Sequence, residues 1–315
     1  MGKLVKLFGV ALLVVILIKV DLREIGSILA RCGIGHVAAG FGLSVVAIGI
    51  KAARWWLMLR QQHLAYSWPK AFRTYLAGLY LGVVTPGRLG ELGRAAYVKR
   101  DTGASVGTAL SSILLDRVLD LYALTAIGLV ACWVFDLFGR TSPLFLAAAG
   151  AVLLLPAAAL HPRIGARVVG VVEALLARTK LGAAVGSASG DFYAGIRQLI
   201  SPWLVVQVAL TAAAYATLFA AAFLIARGLS IDISLPDTGL VFGLANMISL
   251  IPLTVAGVGT RDAVFILVFG VRGLPPSQAV AFSTLVLAVF YLGDGLVGAL
   301  SFLLDRSAAV AAPRR

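Results

Sequence analysis

Charge is scarce in this chain: of 315 residues only 13% are Asp, Glu, Lys or Arg, while 60% are hydrophobic. That poverty excludes a soluble domain, which carries roughly twice the charged fraction. Acids are the scarcer sign, 14 against 27 Lys+Arg, for a formal net charge of +13. The excess does not signal nucleic acid, because no aromatic-plus-basic RNA motif and no DNA-reading helix pattern accompanies it. The two cysteines, Cys32 and Cys132, form neither a metal nor a redox pattern and read as small apolar side chains. The three histidines, His36, His63 and His161, are scattered, so no metal site and no cofactor is expected. There is no paired Asp-rich metal motif, no nucleophile beside a base and no His cluster. No catalytic residue is assigned, and an enzyme is not the expected class.

What is present is apolar length. Runs of about 18–25 apolar residues recur, each sufficient to cross a hydrocarbon core of about 30 Å as a helix. The mean hydropathy is +0.98. Strands of a membrane β-barrel would instead be about 10 residues long and alternate polar with apolar. The expected fold class is an all-α polytopic membrane protein. Six full transmembrane helices fall at about 4–18, 36–59, 108–135, 143–160, 202–226 and 277–304. Lys3 and Lys6 precede the first, but Lys19-Val20-Asp21 offers no small-residue cleavage site, so 1–35 reads as an uncleaved signal-anchor span with its loop.

Two apolar stretches stop short. Residues 74–85 give about a dozen positions before Pro86, too few to cross at 1.5 Å per residue. The segment 81–100, LGVVTPGRLGELGRAAYVKR, is broken by Pro86, Gly87, Gly90 and Gly93 and carries Arg88, Glu91 and Arg94. Residues 237–270 repeat the anomaly, breaking at Pro252, Gly257 and Gly259 beside Arg261 and Asp262. Irregular backbone at membrane depth has to be shielded by protein or water, so 71–100 and 237–270 are expected as re-entrant helical hairpins.

The remaining features follow from charge and spacing. Residues 161–201 are basic, and Ile164, Val168, Val171, Val172, Leu175 and Leu176 keep helical spacing, as an amphipathic helix on the membrane surface would. Lys and Arg concentrate in 60–73, 94–100 and 161–197 and at both ends, which puts both termini, including the tail 305–315, in the cytoplasm. Thr108, Ser112, Asp116 and Asp120 recur every four residues and share a face, with Arg117 about 100° round. Ser277, Thr284, Tyr291, Asp294 and Ser301 form a second stripe. Lys51, Arg54, Trp55 and Trp56 near the end of the second span suit an interface, with Trp at headgroup depth and cations snorkelling; Arg54 lies deeper.

Residues 105–115, SVGTALSSILL, lie over 277–287, SQAVAFSTLVL, and 85–91 fall near 254–262 at a similar offset. Hairpin followed by polar-striped span therefore occurs twice. The halves, 36–160 and 202–304 of a single membrane domain, are separated by three crossings between hairpins. That is the pattern of an inverted repeat, an architecture in which a site lies at the repeat interface.

Arg54-Trp55-Trp56, Pro86-Gly87-Arg88, Gly90-Glu91, Arg94 and Thr102-Gly103 carry a resemblance, as do Leu114-Leu115-Asp116-Arg117-Val118-Leu119-Asp120. Asn246, Pro252, Gly257, Gly259 and Asp262 extend it to the second half. The chain from about Arg54 to Leu304 resembles the membrane region of lysylphosphatidylglycerol synthases and their stand-alone relatives, the flippase-like UPF0104 family. It departs in the second hairpin, where Val255-Ala256 replace a Pro-Gly and Asp262 stands where Glu is usual. No aminoacyl-transferase domain follows the last span, so the resemblance implies the translocase part, in the plasma (inner) membrane, rather than the lipid-modifying enzyme.

A half-helix that starts within the membrane offers unpaired N–H groups and the positive end of its dipole. With glycines permitting close approach and arginines beside them, that is a nest for phosphate. The expected headgroup-binding residues are Arg54, Pro86, Gly87, Arg88, Gly90, Glu91, Arg94, Asn246, Gly257, Gly259 and Arg261. Asp116, Arg117, Asp120, Asp262 and Asp294 serve coupling or charge pairing: either the carboxylates neutralise the arginines, or at least one changes partner during a cycle. The expected partner is an anionic membrane lipid, phospholipid or polyprenyl-phosphate in type. The competing functions are a non-catalytic partner of a lipid-modifying synthase or glycosyltransferase, an intramembrane lipid-phosphate enzyme and a small-solute transporter.

Overall fold

The computed structural model describes residues 21–137, 180–249 and 259–311, with isolated positions at 142, 147, 150 and 154. Every regular element among the described residues is helical. In chain order these are α1 (Leu22–Ala30), α2 (Ile34–Gln61), α3 (Trp68–Val84), a 3₁₀ segment (Pro86–Gly93), α4 (Arg94–Thr102), α5 (Val106–Val134) and α6 (Lys180–Leu199). The second half holds α7 (Leu204–Gly228), α8 (Leu235–Ser249), α9 (Thr260–Val271), α10 (Pro276–Val286), a π-helical turn (Leu287–Gly293) and α11 (Asp294–Ala311). The expected spans at 4–18 and 143–160 and the apolar face 164–176 lie outside the described residues.

Among the described residues three helices are long and apolar enough to cross a membrane: Ile34–Gln61, Leu204–Gly228 and the continuous Pro276–Leu304. Side chains on the outside agree with that setting. Leu292, Leu296, Leu300 and Leu303, three or four apart and so on one face of the last helix, are all exposed. A solvent-facing helix would place polar residues there.

Local chemistry sets the helix ends. The Asp21 carboxylate accepts from the Arg23 and Glu24 amides at 2.8 and 3.3 Å and starts α1. Ser105 accepts from the Thr108 amide at 3.2 Å and starts α5. Gly103, at φ 71°, stops α4 in the left-handed conformation that suits glycine. The break after α3 is not a loop: Pro86 begins a 3₁₀ segment, and α3 itself starts at Trp68, earlier than the sequence suggested, because Pro69 fits the first helical turn.

Among the described residues two apolar clusters form the interior. One joins α2, α3, α4 and α5 to the end of α6, whose Ile196 and Leu199 are fully buried. The other joins α1, α7, α8, α9 and α10, with Phe265, Phe269 and Phe282 packed in tilted and edge-to-face contacts at 5.1–6.3 Å between centroids. The halves interlock. α3 packs along α11 and α8 along α5, so the first limb of each hairpin lies on the striped helix of the other half. The second limbs, α4 and α9, pack on the helix that follows them, α5 and α10.

Each hairpin is also clasped at its base. Lys70, at the start of α3, reaches Asp101, at the end of α4, at 3.2 Å. Asp237, at the start of α8, pairs with Arg272, just past α9, at 2.6 Å. The two ends of each broken segment therefore sit side by side. Cys32 and Cys132 are free thiols.

The first clasp titrates. Burial raises the Asp101 carboxyl, but hydrogen bonds from Arg100, Lys70 and Tyr66 outweigh it and hold the carboxyl below its ordinary 3.8. A carboxyl depressed by folding contributes stability that is complete above 3.8 and is lost as pH falls from there through its folded value. Asp101→Asn is expected to cost about 1–3 kcal/mol at neutral pH. The difference from wild type should shrink on acidification below 3.8, read as thermal unfolding midpoints in detergent across pH.

Candidate functional site

The first hairpin delivers Glu91 and Arg94 into the interior beside two acids of α5. Asp116 and Asp120 lie one turn apart on one face of that helix, and both are buried. Arg54 comes from α2 and is fully buried. Its Nη2 donates to Asp116 Oδ1 at 2.6 Å, to Asp120 Oδ1 at 3.0 Å and to the Asp116 carbonyl at 3.0 Å. Its Nε reaches Asp116 Oδ1 at 3.0 Å and its Nη1 reaches Thr211 Oγ1 of α7 at 2.6 Å. The other Asp116 oxygen accepts from Arg94 Nη2 at 3.0 Å. One carboxylate thus bridges two arginines from different helices.

Aromatic rings complete the enclosure. The Arg94 guanidinium lies 4.7 Å from the Trp55 ring and 4.6 Å from the Tyr75 ring. Both rings add attraction to a cation taken out of water. Trp55 is not at headgroup depth as expected: it is fully buried, because its indole N–H finds Ser112 Oγ at 3.1 Å inside the bundle. Lys51, one turn before Arg54, donates to Asp120 Oδ2 at 3.1 Å and lies 4.5 Å from the Tyr215 ring. Arg117 pairs with Glu91. Four cations, Lys51, Arg54, Arg94 and Arg117, thus meet three carboxylates, Glu91, Asp116 and Asp120, leaving a net charge of +1.

Two glycines of α3 make room for this assembly. A Cβ at position 78 would fall 2.5 Å from Arg94 Cγ, and one at position 82 would fall 2.6 Å from Glu91 Cγ. Gly90, expected at the ligand, has its amide taken by Thr85 Oγ1 at 2.7 Å, and it closes against the Leu81 carbonyl. Of Pro86, Gly87 and Arg88 the structure describes the backbone path alone.

The second hairpin is built differently. Gly257 lies outside the described residues. Gly259, at φ 85°, precedes α9, and its amide donates to Asp262 Oδ2 at 2.8 Å. Arg261 is buried, its Nε 3.4 Å from Ser283 Oγ and its guanidinium 4.9 Å from the Tyr291 ring. The Tyr291 hydroxyl donates to Asn246 Oδ1 at 3.2 Å. Asp294 accepts from Ser44 at 2.8 Å, so Asp262 and Asp294 have different partners. The second stripe needs a correction at Thr284, which is exposed while Ser283 is buried. The π turn at Leu287–Gly293 takes up one more residue than an α-helical turn, so Ser283 rather than Thr284 shares a face with Tyr291. Among the described residues no group of His, Cys, Asp and Glu is arranged to hold a metal ion.

Sequence reasoning put Ser112 on the charged stripe, placed Lys51 at the interface and missed Thr211, Tyr75 and Ser283. Lys51 was signalled by its three-residue spacing from Arg54, which places the two on one face. Thr211, Tyr75 and Ser283 are ordinary residues on apolar helices and carry no local signal.

Residues 4–298 match the model of the family described as the lysylphosphatidylglycerol synthase TM region. The chain belongs to that family. It is 24% identical over 307 residues to a UPF0104 membrane protein of Methanocaldococcus jannaschii, covering 90% of this chain and 89% of the relative. It is 25% identical over 300 residues to a UPF0104 membrane protein of Methanothermobacter thermautotrophicus, covering 89% and 88%. No solved structure matches the chain. The family places this chain among membrane proteins, in agreement with its apolar helices.

Gly78→Ala should displace the Arg94 side chain and lower stability by about 1–3 kcal/mol. Gly49→Ala on α2, with open space around its Cβ, should stay within about 1 kcal/mol of wild type. Parallel thermal unfolding of both variants in detergent checks the contrast.

Proposed function

We propose that this member of the lysylphosphatidylglycerol synthase TM region family is a lipid translocase. It moves an anionic or modified phospholipid, or a polyprenyl-phosphate-type lipid, between leaflets. The carrying observation is the set of cations buried at the bends of two clasped, glycine-bearing helical hairpins. Charges inside an apolar protein are costly and mark pathways or binding sites. Their work here is to receive a headgroup while its tails stay in the bilayer, with no covalent chemistry.

In this reading the chain has six full spans and two re-entrant hairpins related as an inverted repeat, with both termini in the cytoplasm. Three observations support it. Each hairpin has its two ends clasped together, as a segment that enters and leaves on one side requires. The first limbs are exchanged between the halves, α3 on α11 and α8 on α5. The helices that follow the hairpins are preceded by Ser105 and Pro275, 170 residues apart by subtraction, within two residues of the offset between 105–115 and 277–287.

Arg54, Arg88 and Arg94 at the first bend, and Asn246, Gly259 and Arg261 at the second, form the headgroup path. Glu91, Asp116, Asp120, Asp262 and Asp294 balance it and change partners as the lipid passes. A second reading is favoured by the family's description, which names a synthase. It is a non-catalytic membrane partner for a lipid-modifying synthase or glycosyltransferase.

Proteoliposomes with fluorescent phosphatidylglycerol or a polyprenyl phosphate test the choice. Wild type should move label between leaflets well above empty vesicles, and Arg88→Ala should slow it about tenfold or more, the cost of one charged hydrogen bond. Equal rates in wild type, variant and empty vesicles would remove the translocase reading. Movement seen only after a synthase is added would favour the second.

A further inference from the structure

The two bends differ in how their arginines are balanced. At the first, Arg54 and Arg94 each touch a carboxylate within 3.0 Å. At the second, Arg261 has no carboxylate within 4.0 Å among the described residues, and it is only 1% exposed. Its guanidinium has Ser283 Oγ at 3.4 Å and the Tyr291 ring at 4.9 Å, while Nη1 is buried with no hydrogen-bond partner. The acids close to it in the fold are turned to other work. Asp262 accepts from the Gly259 amide, and Asp294 accepts from the Ser44 hydroxyl, each at 2.8 Å.

A buried lysine or carboxyl can shed its charge; a guanidinium does not. The charge of Arg261 has to be met by an anion. The surroundings define which kind. The guanidinium fork suits two oxygens of one phosphate. Ser283 adds a hydroxyl at the same nitrogen cluster, and Tyr291, held by its bond to Asn246, backs the guanidinium. Arg261 is the second residue of α9, a 12-residue helix whose positive end adds to the preference for negative charge. The π turn that brings Tyr291 and Ser283 to one face belongs to a type of distortion frequent at functional sites.

We infer that Arg261, Ser283 and Tyr291 form an anion subsite that takes the phosphate group of a phosphate ester. In the conformation described, this is where the ligand is anchored, and the first bend is closed by its own carboxylates. The inference deepens the translocase reading and rests on it for the ligand being a lipid; binding at Arg261 is measurable without transport.

Purified protein in detergent is titrated with phosphatidylglycerol, with uncharged diacylglycerol, and with soluble glycerol 3-phosphate, followed by thermal unfolding and native mass spectrometry. Phosphatidylglycerol should raise the midpoint and appear as a bound adduct, and diacylglycerol should do neither. Arg261→Gln should weaken phosphatidylglycerol binding about tenfold or more. Ser283→Asp supplies the missing carboxylate, so it should raise the ligand-free midpoint and abolish the phosphatidylglycerol shift. That variant keeps the test sharp where Arg261→Gln fails to fold. Arg227→Gln, which removes an exposed cation at the end of α7, should bind as wild type does.

An Arg261-dependent shift with phosphatidylglycerol alone identifies a lipid headgroup. The same shift with glycerol 3-phosphate identifies a soluble phosphate ester and supports the subsite while removing the lipid. Undiminished phosphatidylglycerol binding by Ser283→Asp or Arg261→Gln overturns the subsite. Binding that depends on Arg261 without any translocation overturns the translocase reading alone; translocation that survives Ser283→Asp overturns the subsite alone.

Discussion

An arginine sealed inside an apolar bundle stays charged, and the architecture around it has to answer that charge. Leaving such a guanidinium unanswered costs several kcal/mol, whereas a carboxylate at hydrogen-bond distance returns much of it. In the first half the answer is built in. Asp116 holds Arg54 with one oxygen and Arg94 with the other, so α2, α4 and α5 are tied at one point. The bend between α3 and α4 is fixed in consequence, because Arg94 and Glu91 lie against α3 only where glycine leaves space for them.

That arrangement explains why a break in the helix sits here and not elsewhere. Backbone freed from helical hydrogen bonding is tolerated at membrane depth where protein covers it. Thr85 covers part of it by accepting from the Gly90 amide and donating to the Leu81 carbonyl. The remaining cover comes from the neighbouring helices, α11 on α3 and α5 on α4. A change of partner at Asp116 would therefore be felt at both halves, since α3 is held by α11 of the opposite half. The Ser301 hydroxyl on the Arg73 carbonyl, at 3.1 Å, is one such cross-link. The Tyr80–Phe302 ring contact at 5.6 Å is another.

The two hairpins differ in how their charges are met. In the first, acids and bases are nearly matched and in direct contact. In the second, Asp262 is drawn back to the start of α9, and Arg261 faces a serine and a tyrosine. Asp262 caps its own helix, and Arg261 beside it has no carboxylate within 4.0 Å among the described residues.

Much of this was legible in the chain. Apolar run length and the positions of Pro86, Gly90 and Gly259 mark helices and breaks, because those depend on hydropathy and backbone freedom within a few residues. The four-residue spacing of Asp116 and Asp120 shows one charged face for the same reason. Sequence could not assign partners: Arg54 and Asp116 are 62 residues apart and Arg94 and Asp116 are 22, and helices that meet there are chosen by packing. It misplaced Trp55 because burial of an indole depends on a hydroxyl from another helix, and it misread Thr284 because a π turn shifts the face by a residue. The sequence by itself determined a helical membrane protein with two charged breaks. Which of its arginines are neutralised and which stands open to an anion was decided only in three dimensions, since electrostatic energy depends on distance across helices and not along the chain.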